Sequence, residues 1–401
     1  VTVPLTAPVP AIPAASPAFA PRLLFVVRGA EGYGTETKIL GFFTALAARG
    51  MTVSLFALGD GGLAQAARAM PALRVHLDPA PPPRMAGGPG NLRAFAATQL
   101  ASLATMRRLR ALLARERFDA MVICEHGLVL QIGAVARLSG VPVFWIMANA
   151  VDPTYRFDIN RRLYAAAFRH LAVIPVANSA YTRTTLGRGA RYAEKIDLGI
   201  DPRRVVAATA ATLPGLPPGA VRLLVMARLV PAKGQKILLA AMLSRPEFRH
   251  LHLILCGGPP GTPYERDLRE LAAARGAADR LHVLGPVTDV AAYYALADVV
   301  VNARLDPEPF GLSVVEAMFA ARPLLVHAAG GPAEIVVDGL TGWHVAAPEE
   351  TAFADGLARM LADRPRWAEM GLAGRKRAEQ RYTHEAMTDQ FLRIAASRLR
   401  R

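Results

Sequence analysis

The sequence predicts an α/β protein built from two parallel-sheet domains in series. Short apolar runs of strand length alternate with longer stretches of helical periodicity along most of the chain, the pattern of repeated β–α–β units. The alternation breaks once, over Val205 to Ala220, where alanine and threonine give way to Leu-Pro-Gly-Leu-Pro-Pro-Gly-Ala, and then restarts. At 401 residues the chain is long enough to bury two full cores.

The elements follow in order. Residues 1–21 carry no charge and are mostly proline, alanine and other small residues; such a stretch cannot bury a core and reads as an extended or disordered leader. It lacks both a basic n-region and a continuous apolar run, so it is not read as a signal peptide. A first domain spans 22–205. Leu23–Val27 is a buried strand and Glu36–Ala48 a helix; Thr52–Ala57 and Val75–Leu77 are strands separated by a helix. Pro79 to Gly90 is a proline- and glycine-rich loop, and Leu92–Glu116 a long helical pattern. Strand Ala120–Cys124, helix Leu128–Leu138, strand Val141–Ile146, a helix near Asn160–Arg169 and strand Ala172–Val176 follow. Asn178-Ser179 forms a capping pair before the helix Tyr181–Leu186. Residues 206–220 are the linker.

The second domain, 221–380, repeats the alternation. Its strands are Arg222–Met226, Leu251–Cys256, Leu281–Leu284, Val299–Val301 and Pro323–His327. Its helices are Gln235–Met242, Tyr264–Arg275, Val290–Ala297, Val314–Ala320, Thr351–Leu361 and Trp367–Gln380. Residues 381–401 hold a closing helix, His384–Arg400. In two such sheets set in series, a ligand belongs at the strand carboxyl ends, in a cleft between the domains.

Composition narrows the function. The chain is 52% hydrophobic and 20% charged, with no apolar run long enough to span a bilayer. Cys124 and Cys256 sit in apolar strands, where a free cysteine acts as a small hydrophobe, in keeping with a reducing compartment. The net charge of +15 is mostly arginine spread over helices. It reads either as a solvated basic surface or as contact with an anionic membrane. No basic stretch is interleaved with aromatics, which argues against nucleic acid.

The chemistry concentrates in Glu308-Pro-Phe-Gly-Leu-Ser-Val-Val-Glu316. Pro309 fixes the approach of the chain, Gly311 lets a ligand near the backbone, and a helix begins at Leu312 to Val314. The open amides of that helix start suit phosphate or sugar oxygens. Glu308 and Glu316 then present two carboxylates to one polyhydroxy ligand. Ser313-Val-Val-Glu316 is also a capping box, in which Glu316 would only stabilise the helix start.

This segment resembles the Glu-x7-Glu signature of family 4 retaining glycosyltransferases (glycosyl transferases group 1). The resemblance continues through Ala317-Met318, Arg322-Pro323, Gly330-Gly331-Pro-Ala-Glu334 and Asp338-Gly339-Leu-Thr-Gly342. Upstream it includes Arg228-Leu-Val-Pro-Ala-Lys233-Gly234, Cys256-Gly257-Gly258, Leu284-Gly285 and Ala297-Asp298. It covers nearly all of 222–342. In the first domain Arg28-Gly-Ala-Glu-Gly-Tyr-Gly34-Thr-Glu36 is similar to the family's glycine-rich loop, and Asn178-Ser179 and Gly199-Ile-Asp201 also match.

The resemblance implies a GT-B fold, two Rossmann-like domains with parallel sheets facing a central cleft, the closing helix crossing back to the first domain. It implies transfer of a hexose from a nucleotide-diphosphate sugar to an acceptor hydroxyl on a glycan, glycolipid or small molecule. Arg228 and Lys233 would neutralise the departing diphosphate, Glu316 would bind the ribose and Glu308 the transferred sugar, with the backbone amides of Phe310, Gly311 and Leu312 assisting; Gly34 and Gly257 belong to backbone turns beside the donor. No cofactor or metal is implied. No Asp-x-Asp pair is present, and Asp306-Pro-Glu308 imitates one poorly because the proline constrains it.

One departure stands out. Many members carry a histidine after the strand matching Val143–Ile146, whereas this chain runs Trp145-Ile-Met-Ala148-Asn149. His126, at the end of another strand, is a candidate for the acceptor side, although a lone histidine is as readily structural; Asn149 and Asp152 are weaker substitutes. A phosphorylase or nucleotide-sugar epimerase of the same fold, or a silent sugar-nucleotide-binding protein, remain alternatives. The protein is expected to be cytoplasmic, and peripheral at the inner membrane face if its basic helix, with Arg107, Arg108, Arg110, Arg115 and Arg117, docks there.

Overall fold

The computed structural model describes residues 19–28, 35–80, 92–151, 158–206 and 209–399. Most of the leader, the glycine-rich loop with Gly34, most of the proline-rich loop before residue 92, and Asp152 lie outside the described residues.

Two parallel sheets organise the chain. The first contains β1 (Leu23–Val27), β2 (Val53–Ala57), β3 (Leu73–Leu77), β4 (Ala120–Ile123), β5 (Val143–Met147), β6 (Val173–Ala177) and β7 (Glu194–Lys195), in the spatial order β3-β2-β1-β4-β5-β6-β7. The second contains β8 (Val221–Met226), β9 (Leu251–Cys256), β10 (Leu281–Gly285), β11 (Val299–Asn302), β12 (Leu324–His327) and β13 (Gly342–Val345), in the order β10-β9-β8-β11-β12-β13. In each sheet the strand order reverses beside its first strand, and in open α/β sheets ligands bind at the strand ends of such a switch point.

The central strands are apolar on both faces because helices cover both faces of a parallel sheet. Every residue of β1 and β9 is buried. Cys256, at the end of β9, is 1% exposed, and burial pushes its thiol up to about 12. Cys124 and Cys256 are both free.

By contact the described chain forms two compact units: one of residues 1–145, 169–174 and 385–401, the other of 146–168 and 175–384. In the first, Phe25 meets Phe43 edge-on at 4.6 Å. Phe391, from the closing helix His384–Leu399, sits edge-on to Phe42 at 5.4 Å and Phe144 at 5.3 Å. Arg49 ties the same helix through Asp389 at 2.7 Å. A fully buried phenylalanine of this kind stabilises by about 2 kcal/mol. In the second unit the core runs through Leu223, Leu253, Val299, Trp343, Phe353 and Leu357, all fully buried.

Local signals set several helix starts. Thr262 accepts from the Glu265 amide at 3.2 Å, and Pro263 occupies the first turn of Pro263–Ala274, where its missing N–H costs nothing. Ser179 caps Ala180–Thr184 through the Thr182 amide at 3.0 Å. That helix is shorter than the sequence suggests, because the chain tightens into a 3-10 turn over Gly187–Tyr192. Strands β7 and β13 are not legible in the sequence. One has only two residues, and the other opens on Gly342, where a Cβ would stand 2.1 Å from the Leu324 carbonyl oxygen of β12. The segment before β8 is held by a hydrogen bond from the Ala211 amide to the Ala292 carbonyl, 2.9 Å.

Candidate active site

The site grows from three loops at strand ends of the second sheet. After β8 the chain turns through Arg228 and a 3-10 turn, Pro231–Lys233, ending at Gly234 with φ +71°. A Cβ on Gly234 would stand 1.8 Å from the Ala303 carbonyl oxygen. Only glycine lets this turn lie directly on the chain leaving β11, and the Leu305 amide seals the contact by donating to the Ala232 carbonyl at 3.0 Å. The turn thereby delivers Lys233 to the segment Arg304–Glu308.

There Lys233 Nζ meets Glu308 Oε2 at 2.8 Å, and Arg304 meets Glu308 Oε1 at 2.9 Å. Glu308 is thus gripped by two cations, with its side chain 15% exposed. Arg304 also forks onto Asp306, at 3.1 Å and 2.6 Å. Its guanidinium holds the Asp306 carboxyl below the usual range. Burial works against the charge on Arg304, but its hydrogen bonds to the two carboxylates and their charge raise its pKa above the ordinary value.

The backbone at Glu308 is fixed from a third side. Glu308 pairs with Gly330, and its carbonyl accepts from the Gly331 amide at 2.8 Å. A Cβ on Gly331 would stand 2.1 Å from the Phe310 carbonyl oxygen. Phe310 is buried edge-on to Tyr382 at 6.0 Å. The Pro309 carbonyl accepts from Ser179 Oγ at 2.6 Å, while Thr182 Oγ1 donates to Asn178 at 2.7 Å. The Glu334 carboxylate accepts from the Ala180 and Tyr181 amides at 3.0 and 3.1 Å.

The helix Leu312–Phe319 corrects one expectation. Gly311, at φ 102°, takes its cap position, and no side chain caps the helix. The Val314 and Val315 amides return to the Gly311 carbonyl. Among the described residues, the amides of Leu312 and Ser313 have no hydrogen-bond partner. Glu316 accepts instead from the Tyr294 hydroxyl at 2.7 Å, so its carboxylate is oriented by a neighbouring helix and not by a capping box. Tyr294 is fully buried, and burial, reinforced by the Glu316 charge, raises its pKa well above normal; the phenol stays protonated and donates.

Arg228 is exposed, and among the described residues its guanidinium has no ion pair or hydrogen bond; its carbonyl accepts from Gln235 at 2.8 Å. Gly257 backs this turn, since a Cβ there would stand 2.0 Å from the Ala227 carbonyl oxygen. His126 belongs to the first unit, beside the Arg28–Glu125 pair at 2.6 Å, and its ring packs edge-on to Trp145 at 5.0 Å. Asn149 lines a cavity of about 520 Å³ together with Arg161, Tyr181, Thr185, Arg304 and Asp306. Among the described residues, no three His, Cys, Asp or Glu side chains cluster to hold a metal.

Sequence reasoning missed Arg304, Tyr294 and the Ser179 and Glu334 contacts. Arg304 stands four residues before Glu308, but the stretch between them is irregular chain with Pro307 in it, so the helical i,i+4 rule gives no signal there. Tyr294 gives no signal either, because its partner is 22 residues away.

The fold has close counterparts among solved structures. The Anabaena HepE protein in complex with UDP superposes with a TM-score of 0.76 at 20% identity, over 94% of this chain and 100% of that one. A glycosyltransferase from Rickettsia africae gives 0.77 at 15% identity, over 95% and 99%. These define the class as GT-B, with two Rossmann-like domains. Two family models match in succession, a glycosyl transferase 4-like domain over residues 33–211 and glycosyl transferases group 1 over 214–377. The chain belongs to the glycosyl transferases group 1 family.

Among curated relatives, the D-inositol 3-phosphate glycosyltransferase of Nocardia farcinica is 36% identical over 165 residues, 39% of this chain and 36% of that protein. The GDP-mannose-dependent alpha-(1-6)-phosphatidylinositol monomannoside mannosyltransferase of Mycobacterium tuberculosis is 36% identical over 160 residues, 38% and 41% of the two chains. The matched segment thus spans about two fifths of these relatives.

Proposed function

We propose that this protein is a retaining glycosyltransferase that moves a hexose from a nucleotide-diphosphate sugar to an acceptor hydroxyl. The observation that carries the reading is the cation pair on Glu308: a lysine at a glycine turn and Arg304 both bond a carboxylate that stands four residues before the open amides of a helix start. In this reading Lys233 and Arg228 take the charge that develops on the diphosphate, with no metal needed. Glu308 accepts from hydroxyls of the transferred sugar, and Glu316, steadied by Tyr294, from the ribose. The acceptor oxygen bonds to the anomeric carbon on the face that the diphosphate leaves. Its proton passes to the departing diphosphate oxygen, so no protein nucleophile or histidine base is required. The name of the mycobacterial relative, with its GDP-mannose dependence, supports a nucleotide-sugar donor.

A thermal-shift panel of UDP-, GDP- and ADP-sugars tests this. At least one should raise the melting temperature in proportion to the logarithm of its concentration. NMR of the transfer product should show the donor's anomeric configuration. Inversion would overturn the mechanism, and a panel without response would overturn the donor.

The acceptor side is proposed to lie near an anionic membrane. On the helix Leu92–Arg115, Leu100 is 68% and Leu103 50% exposed, in line with exposed Arg107 and Arg110. This stripe suits an interfacial helix, apolar at one end and basic at the other. Arg108 leaves the set, since it turns to Asp78 at 2.7 Å. The protein should float with vesicles containing anionic lipid at low salt, and release as salt rises. Equal recovery with neutral vesicles would reject the charge contribution. Among the described residues no helix is long and apolar enough to cross a membrane.

A further inference from the structure

Arg304 is fixed along its whole length. Its amide donates to Asn302 Oδ1 at 3.3 Å, and its carbonyl lies 2.7 Å from His327 Nδ1. Two of its guanidinium nitrogens bond the two oxygens of Asp306, at 3.1 and 2.6 Å. A guanidinium held by such a fork has its plane set, so the position of the remaining nitrogen and its two N–H directions are fixed with it. One of those N–H bonds meets Glu308 Oε1, at 2.9 Å.

Lys233 is held differently. Its ammonium is a point charge on a four-carbon stem, and among the described residues it bonds Glu308 Oε2 alone, at 2.8 Å. The two carboxylate oxygens therefore have unlike partners, one locked and one able to turn. A diphosphate offers Lys233 a more highly charged partner than Glu308 does. Were Lys233 the only cation at Glu308, its departure would release the carboxylate to rotate just as the sugar arrives.

We propose that Arg304, oriented by Asp306, is the positioning residue that keeps the Glu308 carboxylate in place while Lys233 turns to the donor diphosphate. The proposal rests on the donor reading above. It gives the two cations different roles, with Lys233 following the substrate and Arg304 staying with the protein.

The test compares Arg304→Gln, Arg304→Lys and Asp306→Asn with the wild-type protein, with Lys233→Ala as the internal contrast. The probes are UDP, GDP and ADP for affinity, and their sugars for turnover, read as nucleoside diphosphate released in water. With Arg304→Gln, kcat should fall about tenfold to a hundredfold while the diphosphate Kd stays within about threefold. Arg304→Lys should recover part of the loss, because it keeps the charge without the fork. Asp306→Asn should fall between the two. Lys233→Ala should weaken diphosphate binding instead.

A kcat for Arg304→Gln within about twofold of wild type, in protein that melts normally, would overturn the proposal. So would a Kd that rises in step with the loss of kcat, since Arg304 would then serve the diphosphate directly. If the wild-type protein itself binds no member of the panel, the donor reading fails first and takes this proposal with it, an outcome visible before any variant is made.

Discussion

Glu308→Gln and Lys233→Ala should change nucleoside diphosphate affinity in opposite directions while both depress turnover. Lys233 directs one of its bonds to Glu308 at 2.8 Å. A partly exposed ion pair of this kind is worth about 1 kcal/mol, which corresponds to roughly fivefold in affinity. Neutralising Glu308 frees Lys233, so UDP or GDP should bind up to about fivefold tighter to Glu308→Gln. Its kcat should fall about a hundredfold or more, because in the proposed function the sugar loses an oriented acceptor for its hydroxyls. Lys233→Ala should lose affinity and, with the leaving diphosphate less well neutralised, about a hundredfold to a thousandfold in kcat. Isothermal titration with the diphosphate and steady-state kinetics with the sugar separate the two. A weaker diphosphate complex for Glu308→Gln would show that the Lys233–Glu308 contact does not compete with the ligand.

The second large effect is on stability. Gly234→Ala places a methyl group 1.8 Å from the Ala303 carbonyl oxygen at φ +71°. The left-handed conformation alone costs an L-residue about 1–2 kcal/mol. The overlap requires backbone movement at the end of β11, which brings the expected loss to about 3–5 kcal/mol. Thermal unfolding should shift down by about 10 °C. Gly215→Ala is the control, since its φ is +84° and nothing lies within 4 Å of the added carbon. If the two variants melt together, left-handed strain alone accounts for the cost, and the close approach of the Lys233 turn to β11 is not what glycine protects.

The architecture was legible because parallel strands covered on both faces must be apolar throughout, and runs such as Leu251–Cys256 can be little else. The helix start capped at Ser179 was equally open to reading. Boundaries failed where the determining contact is distant. β13 exists because Gly342 admits the Leu324 carbonyl, and nothing near Gly342 in the chain announces this. The same division holds at the site. Glu308 and Glu316 stand out by type and spacing, Arg228 and Lys233 only through the family resemblance. Which carboxylate meets which cation depends on Gly234 touching Ala303, a contact between positions far apart in sequence. The capping box at Ser313 was a sound local rule that lost, because the chain enters the helix at Gly311 and Tyr294 supplies Glu316 with a better-placed donor.

The Ser179–Pro309 and Ala180–Glu334 hydrogen bonds join positions 130 and 154 residues apart. On a ribosome, residues 179 and 180 are made long before their partners, and the hydroxyl of Ser179 must wait in water until Pro309 emerges. The loop that carries Glu308 therefore acquires its final shape only after residue 334 has been made and Glu334 reaches the Ala180 amide. Contacts so far apart close slowly. A nascent or truncated chain that stops short of residue 334 would hold folded strands with the signature loop still unset, a natural point for chaperone capture.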